Sequence, residues 1–213
     1  MQSYQAEFLR FAMEHKVLLF GEFTLKSGRL SPYFFNAGHF NTGAGLARLA
    51  GFYAQSIAAD APEFDMLYGP AYKGIPLVAA TATQIYREFD RDLPWAFNRK
   101  EAKDHGEAGI IVGSPLAGRV LIIDDAISAG TSVRESVSII QAAGATPVGV
   151  AIALDRQERG QGQLSASQEA AEQYGLAVSS IATLADLIAL LAEDANYASE
   201  LERIQQYRSQ YGV

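Results

Sequence analysis

Short apolar runs alternate with longer stretches of helical period along most of the chain. The runs Met66–Gly69, Pro94–Asn98, Ile110–Val112, Val120–Ile123, Pro147–Leu154 and Ala177–Ile181 read as strands. In Val120–Ile123 every position is apolar and branched, which suits a strand buried on both faces. Between these runs the spacing predicts helices over Thr42–Asp60, with Thr42 as N-cap, over Ile75 to about Glu88, from Ser132 to near Gly144, over Ser167–Tyr174 and over Leu184–Leu191. Amphipathic helices are expected at Tyr4–Glu14 and Asn196–Tyr211. Val17–Phe20 reads as a short strand, and Phe23–Arg29 alternates and turns at Gly28 into Ser31–Asn36, a hairpin pattern. Strand alternating with helix implies one α/β domain: a mainly parallel sheet with helices on both faces.

The most informative stretch is Val120–Ser132, VLIIDDAISAGTS. A buried strand ends in two carboxylates, Asp124 and Asp125. A loop of small and hydroxyl-bearing residues follows, and a helix begins at once, with Ser132 and Glu135 at capping-box spacing. Loop amides and the first turn of such a helix offer unpaired N–H groups to an anion. Small side chains let a phosphate reach the backbone, and Ser128, Thr131 and Ser132 add hydroxyls. Two carboxylates would repel that phosphate unless they serve another part of the ligand, such as ribose hydroxyls or a ligand-borne Mg²⁺. The physical reading is a sugar-phosphate site; the bland one is an ordinary strand-to-helix turn with an acidic end.

Charge changes the picture. The 213 residues carry a net charge of −7 and no cysteine. The acidic balance argues against a broad nucleic-acid face, and the missing cysteine excludes disulfides and thiolate metal sites while fitting a reducing cytoplasm. No signal peptide and no apolar run of transmembrane length is read. An acidic protein that binds a polyanion must concentrate its cations. Arg99, Lys100, Lys103 and His105 fall within seven residues, and Arg99–Ala108 reads as a mobile cationic loop between two strands. Lys73, after the strand Met66–Gly69, is placed for an anion. Lys26-Ser27 follows Gly21 at nearly Walker A spacing, but the glycine before the lysine is missing. Ser31–Asn36 puts aromatics on both sides of a strand, as core or as a wall for a planar base.

Val120–Ser132 closely resembles the PRPP-binding segment of the type I phosphoribosyltransferases: four apolar residues, two acidic ones, then a small, hydroxyl-bearing loop ending in Gly-Thr. Lys26 with Phe34-Phe35, Tyr72-Lys73, Arg99-Lys100-x-x-Lys103-x-His105 and Arg156 extend the resemblance over essentially the whole chain, to the orotate-using branch of that family. One departure is Ser128, where relatives often carry Thr; the hydroxyl is kept.

The resemblance implies the type I fold, with a hood formed mainly by about residues 1–40, a core over about 41–175 and closing elements over 176–213. It implies transfer of phosphoribosyl from PRPP to orotate, giving orotidine 5′-monophosphate and pyrophosphate in pyrimidine biosynthesis, with Mg²⁺ carried by PRPP and reaching Asp124 and Asp125 at most through water. Ala126, Ile127, Ser128, Ala129, Gly130, Thr131 and Ser132 would hold the 5′-phosphate, and Asp124 and Asp125 the ribose hydroxyls. Tyr72, Lys73, Arg99, Lys100, Lys103 and His105 would face the diphosphate, with Lys103 and His105 stabilising the leaving group or delivering a proton. Phe34, Phe35, Ser128 and Arg156 would hold orotate, with Lys26 between the two substrates. A homodimer is implied, with Arg99, Lys103 and His105 acting on the neighbouring subunit's site, and neither nucleic acid nor membrane as partner. Two other readings compete: a type I enzyme for a purine or uracil, and a non-catalytic PRPP-sensing regulator, which the acidic balance and lack of spare length disfavour.

Overall fold

Val120 and Ile122 of strand β6 (Arg119–Ile123) pack into one apolar cluster and Leu121 and Ile123 into another, with no exposure at any of the four. Successive side chains of a strand point to opposite faces, so an all-apolar strand needs helices on both. The computed structural model describes every residue except 26, 104–108, 128–130 and 161, and of residues 102 and 103 the backbone alone.

The sheet comprises β3 (Met66–Gly69), β4 (Trp95–Lys103), β5 (Gly109–Gly113), β6, β7 (Thr146–Asp155) and β8 (Ala177–Thr183), in the order β5-β4-β3-β6-β7-β8. All neighbours run parallel except β4 and β5. Helices α1 (Ser3–Glu14), α2 (Gly43–Asp60), α3 (Gly74–Phe89), α6 (Leu184–Leu191) and α7 (Ala198–Tyr211) share one cluster with Leu67 and Leu121; α4 (Thr131–Ala142) and α5 (Ala166–Tyr174) share the other with Tyr68 and Ile122. A separate antiparallel hairpin, β1 (Leu18–Thr24) and β2 (Leu30–Phe35), packs against α1 and α7. Among the described residues no helix is long and apolar enough to cross a membrane.

Three local expectations need correction. Val17–Phe20 and the alternation after it are one strand: β1 runs through Gly21 and Glu22, where the pairing slips between Phe20 and Phe23, so a bulge replaces a break. Arg99–Lys103, expected in a loop, continues β4 as far as the Lys103–Gly109 pair. Backbone pairing with an edge strand is indifferent to side-chain charge, so a run of charges does not end a strand; residues 104–108 of the expected loop lie outside the described residues. Ser132 does not cap α4: the helix already includes Thr131, and the Ser132 hydroxyl donates to Asp124. Thr42, by contrast, caps α2 as expected, accepting from Gly45 N–H at 3.1 Å.

The turn from β3 into α3 depends on two glycines in contact. A Cβ on Gly69 would fall onto the Gly74 carbonyl oxygen and lie 2.7 Å from Val78, and one on Gly74 would lie 2.6 Å from Pro70. Backbone atoms cannot give way as a flexible side chain can. Gly69→Ala is therefore expected to cost about 3 kcal/mol, roughly 6–12 °C in Tm for a chain of this size. A melting point within about 2 °C of wild type would show that α3 can retreat from β3.

Candidate active site

The order of the sheet reverses between β3 and β6: from β3 the chain proceeds through α3 to β4 on one side, and β6 leads through α4 to β7 on the other. In an open parallel sheet such a reversal leaves a crevice at the carboxyl ends of the strands. The segment Pro70–Lys73 enters it from β3 and Asp124–Ile127 from β6.

Asp124 is buried, and its carboxylate faces inward. One oxygen accepts from the Ser132 hydroxyl at 2.7 Å, the other from the Asp125 N–H at 2.9 Å. Its carbonyl accepts from the fully buried Tyr53 hydroxyl of α2 at 2.7 Å, and its N–H donates to Ala151 of β7 at 3.1 Å. Burial pushes the Asp124 carboxyl up to about 6; the Ser132 hydrogen bond opposes this, and the Asp125 charge adds to it. Burial, with both carboxylates nearby, also holds Tyr53 well above the usual phenol range, keeping it a donor.

Asp125 faces the crevice, where Lys73 of the opposite segment reaches it at 2.5 Å. Lys73 follows the Ala71–Tyr72 peptide, which is cis, and an exposed Tyr72. The Lys100 ammonium lies 6.0 Å from the Tyr72 ring centre. A cavity of about 350 Å³ opens here, bordered by Ala71, Asn98, Lys100, Ile127, Thr131 and Ser132. The structure thus brings Lys100, Ala126, Ile127, Thr131 and Ser132 around one space, and the Lys73–Asp125 pair joins the two segments that border it without lining it.

Arg156, just past β7, forms the other part. Its Nε and Nη2 face the same Glu158 carboxylate oxygen at 2.8 and 2.6 Å, Nη2 also donates to the Ser31 hydroxyl at 3.0 Å, and the guanidinium lies 4.0 Å over the Tyr33 ring. Burial works against its charge, but Tyr33 and Glu158 outweigh burial and hold the group above its ordinary value. Phe34 stacks on Phe23 at 5.4 Å, whereas Phe35 packs on the core 6.3 Å from Phe8. The two rings take opposite faces of β2, so they do not form one wall.

Lys26, His105, Ser128, Ala129 and Gly130, and the side chain of Lys103, lie outside the described residues. Arg99 sits on β4 beside Lys100. Tyr33 belongs to the aromatic strand Ser31–Asn36 that the sequence singles out, whereas Tyr53, Asn98, Glu158 and the Ser31 hydroxyl have no site role in the sequence pattern. Only Glu158 carried a local signal, an acid two residues from a buried arginine; the others become visible only through contacts across the fold.

A strand ending in paired carboxylates, hydroxyls in the first turn of the next helix, and a lysine from the neighbouring strand fit a sugar-phosphate site. The family model described as phosphoribosyl transferase domain matches residues 39–179, and the chain belongs to that family. It is 64% identical over 213 residues to the orotate phosphoribosyltransferase of Thioalkalivibrio sulfidiphilus and 59% identical to that of Pseudomonas aeruginosa, each match covering 100% of both chains. The crystal structure of the orotate phosphoribosyltransferase of Francisella tularensis matches with a TM-score of 0.88 and 42% identity, over 97% of this chain and 100% of that one. Within the family, this chain belongs with the orotate phosphoribosyltransferases.

The Asp124 environment fixes a pH dependence. Unfolded, an aspartate titrates near 4; folded, this one titrates near 6. Between those values the folded state holds the extra proton, so the contribution to stability is complete in acid and is lost as pH rises through 6. Asp124→Asn should therefore gain about 2 kcal/mol on wild type, in the ligand-free protein, between pH 4 and pH 8. Denaturant midpoints at the two pH values test this, and a pH-independent difference would refute it.

Proposed function

We propose that the chain transfers the 5-phosphoribosyl group of PRPP to orotate, yielding orotidine 5′-monophosphate and pyrophosphate in pyrimidine biosynthesis, and that it works with Mg²⁺ as a cytoplasmic homodimer. Full-length similarity to orotate phosphoribosyltransferases supports the reaction. The observation that carries the site is Asp125 facing Lys73 across the crevice at 2.5 Å beside a hydroxyl-lined helix start. A related Mycobacterium tuberculosis orotate phosphoribosyltransferase, 25% identical with a TM-score of 0.63 over 86% of this chain and 98% of that one, is known in complex with PRPP.

In the reaction the bond from C1 of the ribose to the diphosphate oxygen breaks, the electron pair leaving with pyrophosphate, and a bond from C1 forms to an acidic orotate ring nitrogen that attacks as the anion, its proton already given up to solvent. The 5′-phosphate takes the amides and hydroxyls of residues 126–132, where the dipole of α4 favours an anion. Asp125 receives ribose hydroxyls. Asp124, expected to share that role, has its carboxylate buried and bonded to Ser132 and to the Asp125 amide, so it would act by holding the strand end against the start of α4. Negative charge develops on the diphosphate, and Lys73, Arg99, Lys100 and Lys103 would neutralise it, with His105 as the candidate proton donor. Lys73 exchanges Asp125 for the diphosphate when PRPP enters. The orotate carboxylate suits the fork of Arg156, which Glu158, Ser31 and Tyr33 hold in one orientation. Phe34, Ser128 and Lys26 would complete that pocket, whereas Phe35, expected there too, packs on the core.

The donor set fits Mg²⁺: among the described residues no three metal-ligating side chains come together, but Asp124 and Asp125 are hard oxygen donors beside the diphosphate position. When bound, the ion would neutralise diphosphate charge, with most of its oxygen shell coming from the substrate and water. In a dimer, Arg99, Lys103 and His105 would reach the partner's site from β4 and the segment after it.

PRPP- and Mg²⁺-dependent loss of orotate absorbance, with uracil, hypoxanthine and adenine left unchanged, is the expected outcome of a substrate panel. Consumption of another base instead would overturn the orotate assignment. Lys103→Ala should lower kcat on the order of 100-fold with Tm preserved. Mixing it with Asp125→Asn should restore about a quarter of wild-type activity, because half the dimers are then mixed and half their sites intact. No recovery after verified subunit exchange would count against action in trans.

A further inference from the structure

We propose that Asn98 is a positioning residue, fastening the segment that carries Tyr72 and Lys73 to the strand that carries Arg99 and Lys100. β3 and β4 pair through Leu67–Trp95, Tyr68–Ala96 and Gly69–Phe97, and Asn98 is the next residue on β4. There the ladder ends, because the chain leaves β3 for Pro70–Lys73, and the amide of Ala71 is left to find another acceptor. The Asn98 side chain supplies it. Its Oδ1 accepts from Ala71 N–H at 2.9 Å and from the Tyr68 hydroxyl at 2.9 Å, and its Nδ2 donates to the Arg99 carbonyl at 3.3 Å.

Three bonds from one side chain tie the end of β3, the segment after it and the continuation of β4. Asparagine meets this demand because acceptor and donor sit on one planar group. An aspartate could accept both bonds, but would lose the donor to Arg99 and put a negative charge beside an anion site. A leucine would orphan the Ala71 amide and the hydroxyl of Tyr68, a fully buried residue. Asn98 also borders the cavity shared with Lys100, Thr131 and Ser132. It touches none of the reacting atoms in the proposed reaction. Its effect is to fix the spacing of Lys73 and Lys100, so that both meet one diphosphate without a search at the moment of binding.

The inference rests on the proposed reading in which these two segments face the diphosphate, so the test separates that end of the ligand from the sugar-phosphate end. Inorganic pyrophosphate with Mg²⁺ and ribose 5-phosphate are titrated separately by calorimetry into wild type, Asn98→Ala, Asn98→Ser and Tyr68→Phe, followed by steady-state kinetics. Asn98→Ala should weaken pyrophosphate about 10-fold and ribose 5-phosphate less than about 2-fold, with KM for PRPP rising about 10-fold and KM for orotate unchanged. Asn98→Ser, whose shorter hydroxyl cannot serve both donors, should show the same split and stands in if the alanine variant does not fold. Tyr68→Phe keeps the Ala71 bond and should weaken pyrophosphate less than about 3-fold.

Unchanged pyrophosphate affinity in a folded Asn98 variant, or equal weakening of both ligands, would overturn the inference. A wild-type protein that binds both ligands but spares orotate would overturn the base assignment alone, and the pyrophosphate split would still decide the role of Asn98. A wild-type protein that binds ribose 5-phosphate but not pyrophosphate would remove both the diphosphate reading and the inference built on it.

Discussion

The active crevice depends on one buried carboxylate. Leaving Asp124 charged inside the protein is costly unless its oxygens are hydrogen-bonded, and the chain answers with the Ser132 hydroxyl and the Asp125 amide. The Ser132 bond ties the end of β6 to the start of α4, the Asp125 amide holds the second carboxylate oxygen, and Tyr53 fixes the same residue from the helix layer opposite. Burial still wins in part, which is why the group titrates near 6. With Asp124 turned inward, Asp125 is left facing the crevice, and Lys73 meets it from β3. Strand end, helix start and facing lysine are thereby held before any ligand arrives, as preorganised electrostatics requires.

The acidic balance of the chain makes the placement of its cations meaningful. Lys73 and Arg156 lie just beyond the carboxyl ends of β3 and β7, and Arg99 and Lys100 lie on β4 past its last residue paired with β3. The two anionic ends of the proposed substrate pair meet different chemistry. Lysines, as mobile point charges, suit a diphosphate that must leave. The guanidinium of Arg156, locked by Glu158 and Ser31 over Tyr33, suits a planar carboxylate that must keep one orientation.

The alternation of strand and helix was legible because buried parallel strands need continuous apolar runs, and each such run is a strand of the sheet. The segment Val120–Ser132 was legible because strand, paired acids and small hydroxyl residues are contiguous. What escaped was set by contacts distant in sequence. Asn98 looks like the polar end of an ordinary strand; only the neighbouring β3 gives it three partners. Tyr53 looks like core and is core, yet its hydroxyl ends on Asp124. Ser132 satisfied a local capping pattern, but a buried carboxylate was a more demanding acceptor than a helix-end amide was a donor. The charges after Asn98 suggested a loop, although strand pairing reads backbone and not charge.

A crystal structure of the protein with orotidine 5′-monophosphate tests the account most directly. The account predicts the 5′-phosphate on the amides and hydroxyls of residues 126–132, the ribose hydroxyls on Asp125 with Asp124 still bonded to Ser132, and the pyrimidine carboxylate on Arg156. A phosphate bound away from the start of α4, or a pyrimidine whose carboxylate leaves Arg156 untouched, would contradict it.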